Sequence, residues 1–498
     1  MKLKDNVSPL PQESLEGKNP EDNQLKKTLK PKWVWAIALG SAVGWGAFVQ
    51  PVQWLGTAGP LGVILGMTLG ALLMMVIGFC YGYLIQTFPF TGGGFTYAYY
   101  GFGKYHAYIC GWFLALAYAC IIALNASALG LMFRFLLPEL VSWGYMYSVA
   151  GWEVYAGEVL ISCIAIIVFA IFNIRGASLS GSMQYWFVIV LILGALAISI
   201  GLFFSSSSSL SFTQPLFNTN ITSFEAIFSI LAIAPWAYIG FDNVPQAAEE
   251  FNFKPKKAFA LIAFSLICAS LIYSLMVFAT TIAGPWQDLV SAQHQWGTGE
   301  VVRNTLGVTG VSILAIALSA GIFTGLNGFY VATSRLLFAM GRSQIFPSAF
   351  GKLHHKYRTP NISIMFICLL CLISPFFGRE ALNWIVDMSS IGVTVAFLYC
   401  CLASYKVFAW NKKESLAKNK FQISPKKKII SVLGVFISVG FILLLIVPGS
   451  PGALAFPSWI AMIVWILIGF TFFQINRKKI SQLTKEELDM RIIGKDSK

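Results

Sequence analysis

Charge is what this chain has least of. Only 11% of its 498 residues are Asp, Glu, Lys or Arg, whereas 57% are hydrophobic and the mean hydropathy is +0.70. That balance excludes an ordinary soluble domain and describes a polytopic membrane protein. Histidine is also scarce. His106, His294, His354 and His355 fall in loops or at span edges without ligand spacing, which argues against a metalloenzyme. No G-x-x-x-x-G-K-[ST] segment occurs, so a primary, ATP-driven pump is disfavoured. Nor do His, Cys or carboxylates cluster at one depth as a membrane enzyme requires, and the chain reads as non-catalytic. A cleavable signal pattern is missing too, because the first apolar run is too long and too far from Met1. The nine cysteines, Cys80, Cys110, Cys163 and Cys371 among them, all lie in apolar runs. There they behave as small hydrophobes and imply neither disulfides nor a metal.

What is present is apolar length. Runs bounded by charges or turn residues predict about twelve spans, since about 20 apolar residues cross the hydrocarbon. They cover 33–56, 61–87, 105–136, 156–175, 183–204, 224–250, 257–283, 308–341, 361–377, 381–408, 429–447 and 456–476. Residues 1–32 read as a disordered polar tail, 33–410 as a ten-helix core and 411–428 as a basic loop. Residues 429–476 supply helices 11 and 12, and 477–498 a C-terminal tail. Phe88–Gly103 is too glycine-rich for a span and reads as an interfacial or re-entrant loop, and Ser205–Ser209 as a flexible link. Lysine and arginine cluster at Lys254, Lys256, Lys257, Arg342, Lys352, Lys356, Arg358, Lys412–Lys428 and Arg477–Lys479. The alternate loops hold only Arg134, Arg303 and Arg379. This bias places both termini in the cytoplasm of a plasma-membrane protein. It also accounts for the net charge of +14 as a matter of topology, with anionic lipid and not nucleic acid as the partner.

Two of the spans are interrupted. GSAVGWGAF, Gly40–Phe48, puts Gly40, Gly44 and Gly46 in the middle of the first, and APWAYIGFDNVPQAAEE puts Pro235 and Gly240 in the sixth. A helix broken at membrane depth leaves N–H and C=O groups that must face protein or a wet cavity. Paired interruptions in corresponding halves of a chain point to a transporter's ligand site. The spans are an odd number of helices apart, so they run in opposite directions.

These motifs resemble those of the amino acid–polyamine–organocation superfamily. GSAVGWGAF matches its first-helix signature G-x-x-x-G-x-G-x-F, and FPFTGGGFTYAY the motif after its second helix. IGFDNVPQAAEEFNFKPKKA is similar to its sixth-helix motif, and SRLLFAMGRSQIFPSAFGKLHHKYRTP to its eighth-helix exit. The resemblance implies an all-α polytopic fold of the leucine-transporter type. That fold has two inverted repeats of five helices, with helices 1 and 6 broken and two helices added.

A break suits a zwitterion. The N–H groups that start its second half attract a carboxylate, and the free carbonyls that end the first accept from an ammonium. Here the carboxylate would meet the backbone of Val43, Gly44, Trp45 and Gly46, beside Ser41. The amine would meet carbonyls near Gly40 and near Ala234 to Tyr238. Trp45 departs from the family, which usually has a small residue there, and either packs behind the break or touches substrate. Trp236 aligns with a substrate-capping aromatic of the similar arginine/agmatine antiporters, and Phe329 with a second one. Asn125, Ser389 and Ser390 either line the path or join helices, and Asp387 is an intramembrane carboxylate. Glu249 and Glu250, beside Lys254, read as a solvated helix end.

Some family members carry a lysine in the fifth helix in place of a sodium ion. Met183–Phe204 has none. A bound Na⁺ would use carbonyls of the first break and a hydroxyl of the eighth span, Thr324. Proton coupling would use Asp242, two residues after Gly240: burial favours its neutral form, a nearby cation or helix start its anion. No cofactor is expected beyond H⁺ or Na⁺ as a coupling ion. The implied function is secondary active transport of amino acids or related amines by alternating access. The alternative is an amino-acid receptor of the same fold, which would want a sizeable soluble output domain.

Overall fold

Backbone groups in a bilayer are satisfied inside helices, and helices make up most of this molecule. A computed structural model describes residues 25–149, 151–378, 380–410 and 425–493. Most of the expected N-terminal tail and basic loop, with Arg379 and residues 494–498, lies outside them.

The first crossing is split into α1 (Pro31–Val43) and α2 (Gly46–Val49). α3 (Pro51–Thr87), α4 (Gly94–Phe102), α5 (Lys104–Leu136) and the short α6 (Pro138–Val141) follow. An antiparallel hairpin of β1 (Tyr145–Val149) and β2 (Trp152–Tyr155) leads into α7 (Ala156–Arg175) and α8 (Ala177–Phe203). The second split crossing has α9 (Ser223–Ala232), α10 (Ala234–Ala237) and two 3₁₀ turns, Phe241–Asn243 and Pro245–Glu250. Then come α11 (Ala258–Ile282), α12 (Trp286–Ser291), α13 (Gly297–Arg342), α14 (Asn361–Cys371) and α15 (Glu380–Trp410). α16 (Pro425–Ile446), α17 (Phe456–Gln482) and α18 (Lys485–Ile493) end the described chain. Ten stretches among the described residues are long and apolar enough to cross a membrane. Two shorter apolar ones, Ser223–Ala232 and Asn361–Phe377, stand at the sixth and ninth expected spans. The chain is a multi-pass helical membrane protein.

Burial sorts the helices. In the most apolar part of α5, 89% of residues are buried inside the protein, against 17% in α17, so α5 is a central post and α17 a lipid-facing rim. α13 packs against α5 and α8, α3 against α11, and α15 against α5 and α16.

Several boundaries differ from the sequence reading. Residues 51–56 open α3 and do not end the first span, because Pro51 sits at a helix start, where its missing N–H costs nothing. α3 then kinks at Gly59, whose φ is 71°. The glycine-rich stretch after α3 is not all loop: α4 is a nine-residue helix. The serine run is not a free link, since the Ser209 N–H bonds the Ile282 carbonyl at 2.9 Å. Part of the N-terminal tail is ordered as well. Leu29 donates its N–H to the Glu250 carbonyl and accepts from the Asn252 N–H, at 2.9 and 3.1 Å.

The solvated reading of Glu249 and Glu250 is overturned. Glu250 is buried against Arg335, with Nε at 2.8 Å and Nη2 at 3.4 Å. Arg342 holds Glu249 at 2.6 and 3.0 Å, and Glu249 also accepts the Thr91 N–H. Sequence proximity to Lys254 suggested water, but the unwound segment Pro245–Glu250 turns both carboxylates onto α13. Arg342 further donates to the Ile492 carbonyl, so α18 joins the same seal.

Removing one partner of a buried pair leaves an unpaired charge, which costs about 3–5 kcal/mol. Glu250→Gln is therefore expected to lower the thermal unfolding midpoint in detergent markedly. Glu250→Gln combined with Arg335→Met is expected to recover most of that loss.

Candidate functional site

At the first break α1 ends because Gly44 takes φ 48° and ψ −137°, angles that a side chain resists. The Gly44 N–H still reaches the Gly40 carbonyl at 3.0 Å, and α2 restarts at Gly46. At the second break Gly240 has φ 134°. A Cβ placed on it would lie 2.6 Å from the Ala42 nitrogen and 2.7 Å from the Ser41 Cβ. Backbone meets backbone here: the second break rests directly on the first.

α13 packs against the first break. Gly321, Gly325 and Gly328, spaced for one helix face, lie against the Gly44 carbonyl, the Asn125 amide and the Ser41 hydroxyl respectively. From α11, the buried Tyr273 hydroxyl lies 2.7 Å from the Ala42 carbonyl and 2.8 Å from that of Ala237. One proton thus serves an acceptor on each break.

Between these elements lies a cavity of about 20 Å³, lined by both breaks, by Ile121 and Asn125 of α5 and by Tyr273. Of the residues expected from sequence, Ser41, Val43, Gly44, Trp45, Gly46 and Trp236 line it. Trp45 and Trp236 meet edge-on with centroids 5.8 Å apart. The other expected residues are drawn elsewhere. The Gly40 carbonyl faces the Thr324 hydroxyl at 2.9 Å. Ala234 packs on Gly70 of α3, and the Tyr238 hydroxyl donates to the Met67 carbonyl at 2.8 Å. Phe329 is buried against Tyr118, centroids 5.5 Å apart. A four-residue α10 turns Trp236 toward the cavity and its neighbours toward α3 and α11, a distinction that linear spacing does not show.

Asn125, Tyr273, Ala42, Ile121 and Ile239 complete the wall. A tyrosine in an apolar run gave no signal for Tyr273. Asn125 had one, as a rare amide in a span. Its Nδ2 donates to the Ile121 carbonyl at 2.8 Å, whereas its Oδ1 has no hydrogen-bond partner, and neither does the Ser41 hydroxyl. Ser389 and Ser390 instead bond back to Val386 of their own helix, and Asp387 accepts from Ala455 and Ser458 at the start of α17.

Asp242 lies off the cavity wall, fully buried. Its carboxylate accepts from the Tyr118 hydroxyl at 2.7 Å and the Gly240 N–H at 2.8 Å, and Gln246 donates to Tyr118 at 3.2 Å. The Thr324 hydroxyl lies between the Gly40 carbonyl and the Gly321 carbonyl, the latter at 2.7 Å.

On the hairpin side a second cavity, about 560 Å³, extends from Trp45 past Gln50, Gln53, Gln293 and His294. Trp45 borders both cavities. On the opposite side stand the ion pairs of Glu249 and Glu250.

A family model described as amino acid permease matches residues 30–468. A methylthioribose transporter of Bacillus subtilis (strain 168) is 24% identical, over 93% of this chain and 96% of that protein. The serine/threonine exchanger SteT of the same organism is 26% identical over 84% and 92%. The branched-chain amino acid permease BcaP of Lactococcus lactis subsp. cremoris (strain MG1363) is 26% identical over 78% and 83%.

The two breaks differ in what they tolerate. Gly240→Ala forces a side chain into the Ala42 backbone, so we expect loss of the folded protein in size-exclusion chromatography. A Cβ at Gly46 would meet only Trp236 and Tyr273, at 3.5 and 3.8 Å, and Gly46→Ala is expected to fold normally. Tyr273→Phe leaves buried carbonyls short of a donor. Its expected cost is about 1–3 kcal/mol, read as a lower unfolding midpoint.

Proposed function

Because the chain belongs to the amino acid permease family, and is an amino acid transporter, we propose that it holds its substrate between the two breaks and moves it by alternating access. One observation carries this reading: both breaks line a single cavity, and two residues of its wall, Asn125 and Ser41, each hold a buried polar atom without a partner, Oδ1 and Oγ. The N–H groups that open α2 suit a carboxylate. The Ala42 and Ala237 carbonyls share one hydroxyl proton and keep capacity for an ammonium, which Asn125 Oδ1 also accepts. A cavity of about 20 Å³ has room for about one water. Entry of an amino acid therefore requires Trp45 or Trp236 to swing aside, and Trp45, bordering both cavities, is the outer door. The basic-residue bias supports a plasma-membrane protein with both termini in the cytoplasm and lysines near anionic lipid. In that orientation the hairpin side is outside, and the Glu249 and Glu250 pairs close the inside.

The coupling ion in this reading is a proton on Asp242. What supports it is the carboxylate's setting: it is buried and bonded to two neutral donors, so a proton is the simplest neutraliser. A second reading, Na⁺, draws on the three oxygens of Thr324, Gly40 and Gly321. Uptake into vesicles separates them. A pH gradient should drive the wild type, and Asp242→Asn should exchange substrate while ignoring that gradient. If the wild type answers to a Na⁺ gradient alone, Asp242 is structural and Thr324 becomes the coupling residue.

A further inference from the structure

The walls of the route carry information about the cargo. The inner cavity is bounded by backbone, by Ile121, Ile239, Trp45 and Trp236, and by the neutral polar groups of Ser41, Asn125 and Tyr273. Among the described residues, no Asp, Glu, Lys or Arg lines it. The approach from the hairpin side is similar: among the described residues Gln50, Gln53, Gln293, Gln295 and His294 are its polar members, and none of those lining it is Asp, Glu, Lys or Arg. Two nearby arginines are each held by a carboxylate. Arg134 is paired with Glu158 at 2.6 Å, and Arg303 with Glu300 at 3.3 Å.

From this we infer that the cargo is a neutral α-amino acid with an uncharged, preferably apolar side chain, and not a cationic or acidic amino acid or a polyamine. The inference rests on the proposed site between the breaks. A zwitterion's two charges match that site: the carboxylate meets N–H groups at the start of α2, and the ammonium meets carbonyls and Asn125 Oδ1. A third charge on the side chain would be taken out of water among Ile121, Ile239 and two tryptophans, with no counter-charge to receive it. Burying an unpaired charge is the costliest step in such a pocket. A diamine has the complementary fault, since it brings no carboxylate to the N–H groups and leaves its second ammonium against the apolar wall. Asp242 does not alter this, because its carboxylate lies off the cavity wall and is already engaged by Tyr118 and Gly240.

The test uses the full-length protein reconstituted in lipid nanodiscs, with binding of leucine, valine, serine, lysine, glutamate and putrescine measured by calorimetry. Leucine, valine or serine is expected to bind, and lysine, glutamate and putrescine at least about 100-fold more weakly. Lysine, glutamate or putrescine binding within tenfold of the best neutral compound would overturn the inference while leaving the site between the breaks intact. If none of the six binds, the site itself is wrong and the inference falls with it. Asn125→Asp adds a second reading. A negative charge beside the cavity should raise lysine or putrescine affinity relative to leucine at least tenfold, and an unchanged ratio counts against the uncharged wall as the cause.

Discussion

A membrane interior offers no water to a stranded N–H or C=O, and each one left alone costs several kcal/mol. This protein breaks two of its helices at that depth, and much of its core answers that difficulty. The Tyr273 hydroxyl serves carbonyls on both breaks. Thr324 serves Gly40, and the Trp296 indole donates to the Phe48 carbonyl at 2.9 Å. Asp242 takes the Gly240 N–H. The partners are almost all on other helices, so the breaks can exist only after the bundle has closed around them. Two buried polar atoms without a partner, Asn125 Oδ1 and Ser41 Oγ, belong to residues that line the cavity between the breaks.

Close approach is the second condition. α13 can lie against the first break because three of its residues there have no side chain, and Gly240 lets the two breaks touch. Such contacts have no slack, because backbone cannot be repacked as side chains can. The side chains that line the cavity are not fixed in this way. Trp236 lines the inner cavity, and Trp45, edge-on to it, borders both cavities.

The two sides of the molecule are closed by different physics. Toward the hairpin, a wide vestibule of glutamines and apolar residues ends at aromatic rings. On the other side, Glu250–Arg335 and Glu249–Arg342 tie the unwound end of the sixth crossing to α13, reinforced by the backbone hydrogen bonds of Leu29 and by α18. Charges held out of water resist separation until each finds a new partner.

Composition alone determined that this chain lives in a bilayer, since 57% hydrophobic residues in about twelve long runs have no other stable home. Glycine and proline placement determined where two helices break, because no other residues take those angles cheaply, and so located Ser41, Gly44, Trp45, Gly46 and Trp236 near the site. Tertiary structure decided which neighbours share it. Trp236 faces the cavity, while Ala234 and Tyr238, two residues to either side, face α3. A four-residue helix has no periodicity from which to read its facing. It decided that Glu250 is buried and Glu249 half-buried, because their arginines lie 85 and 93 residues away in sequence. It also brought Tyr273 and Asn125 to the breaks. A side chain on an unbroken helix carries no local mark of what it touches; only the packing of α5 and α11 against the breaks gives those two residues their role.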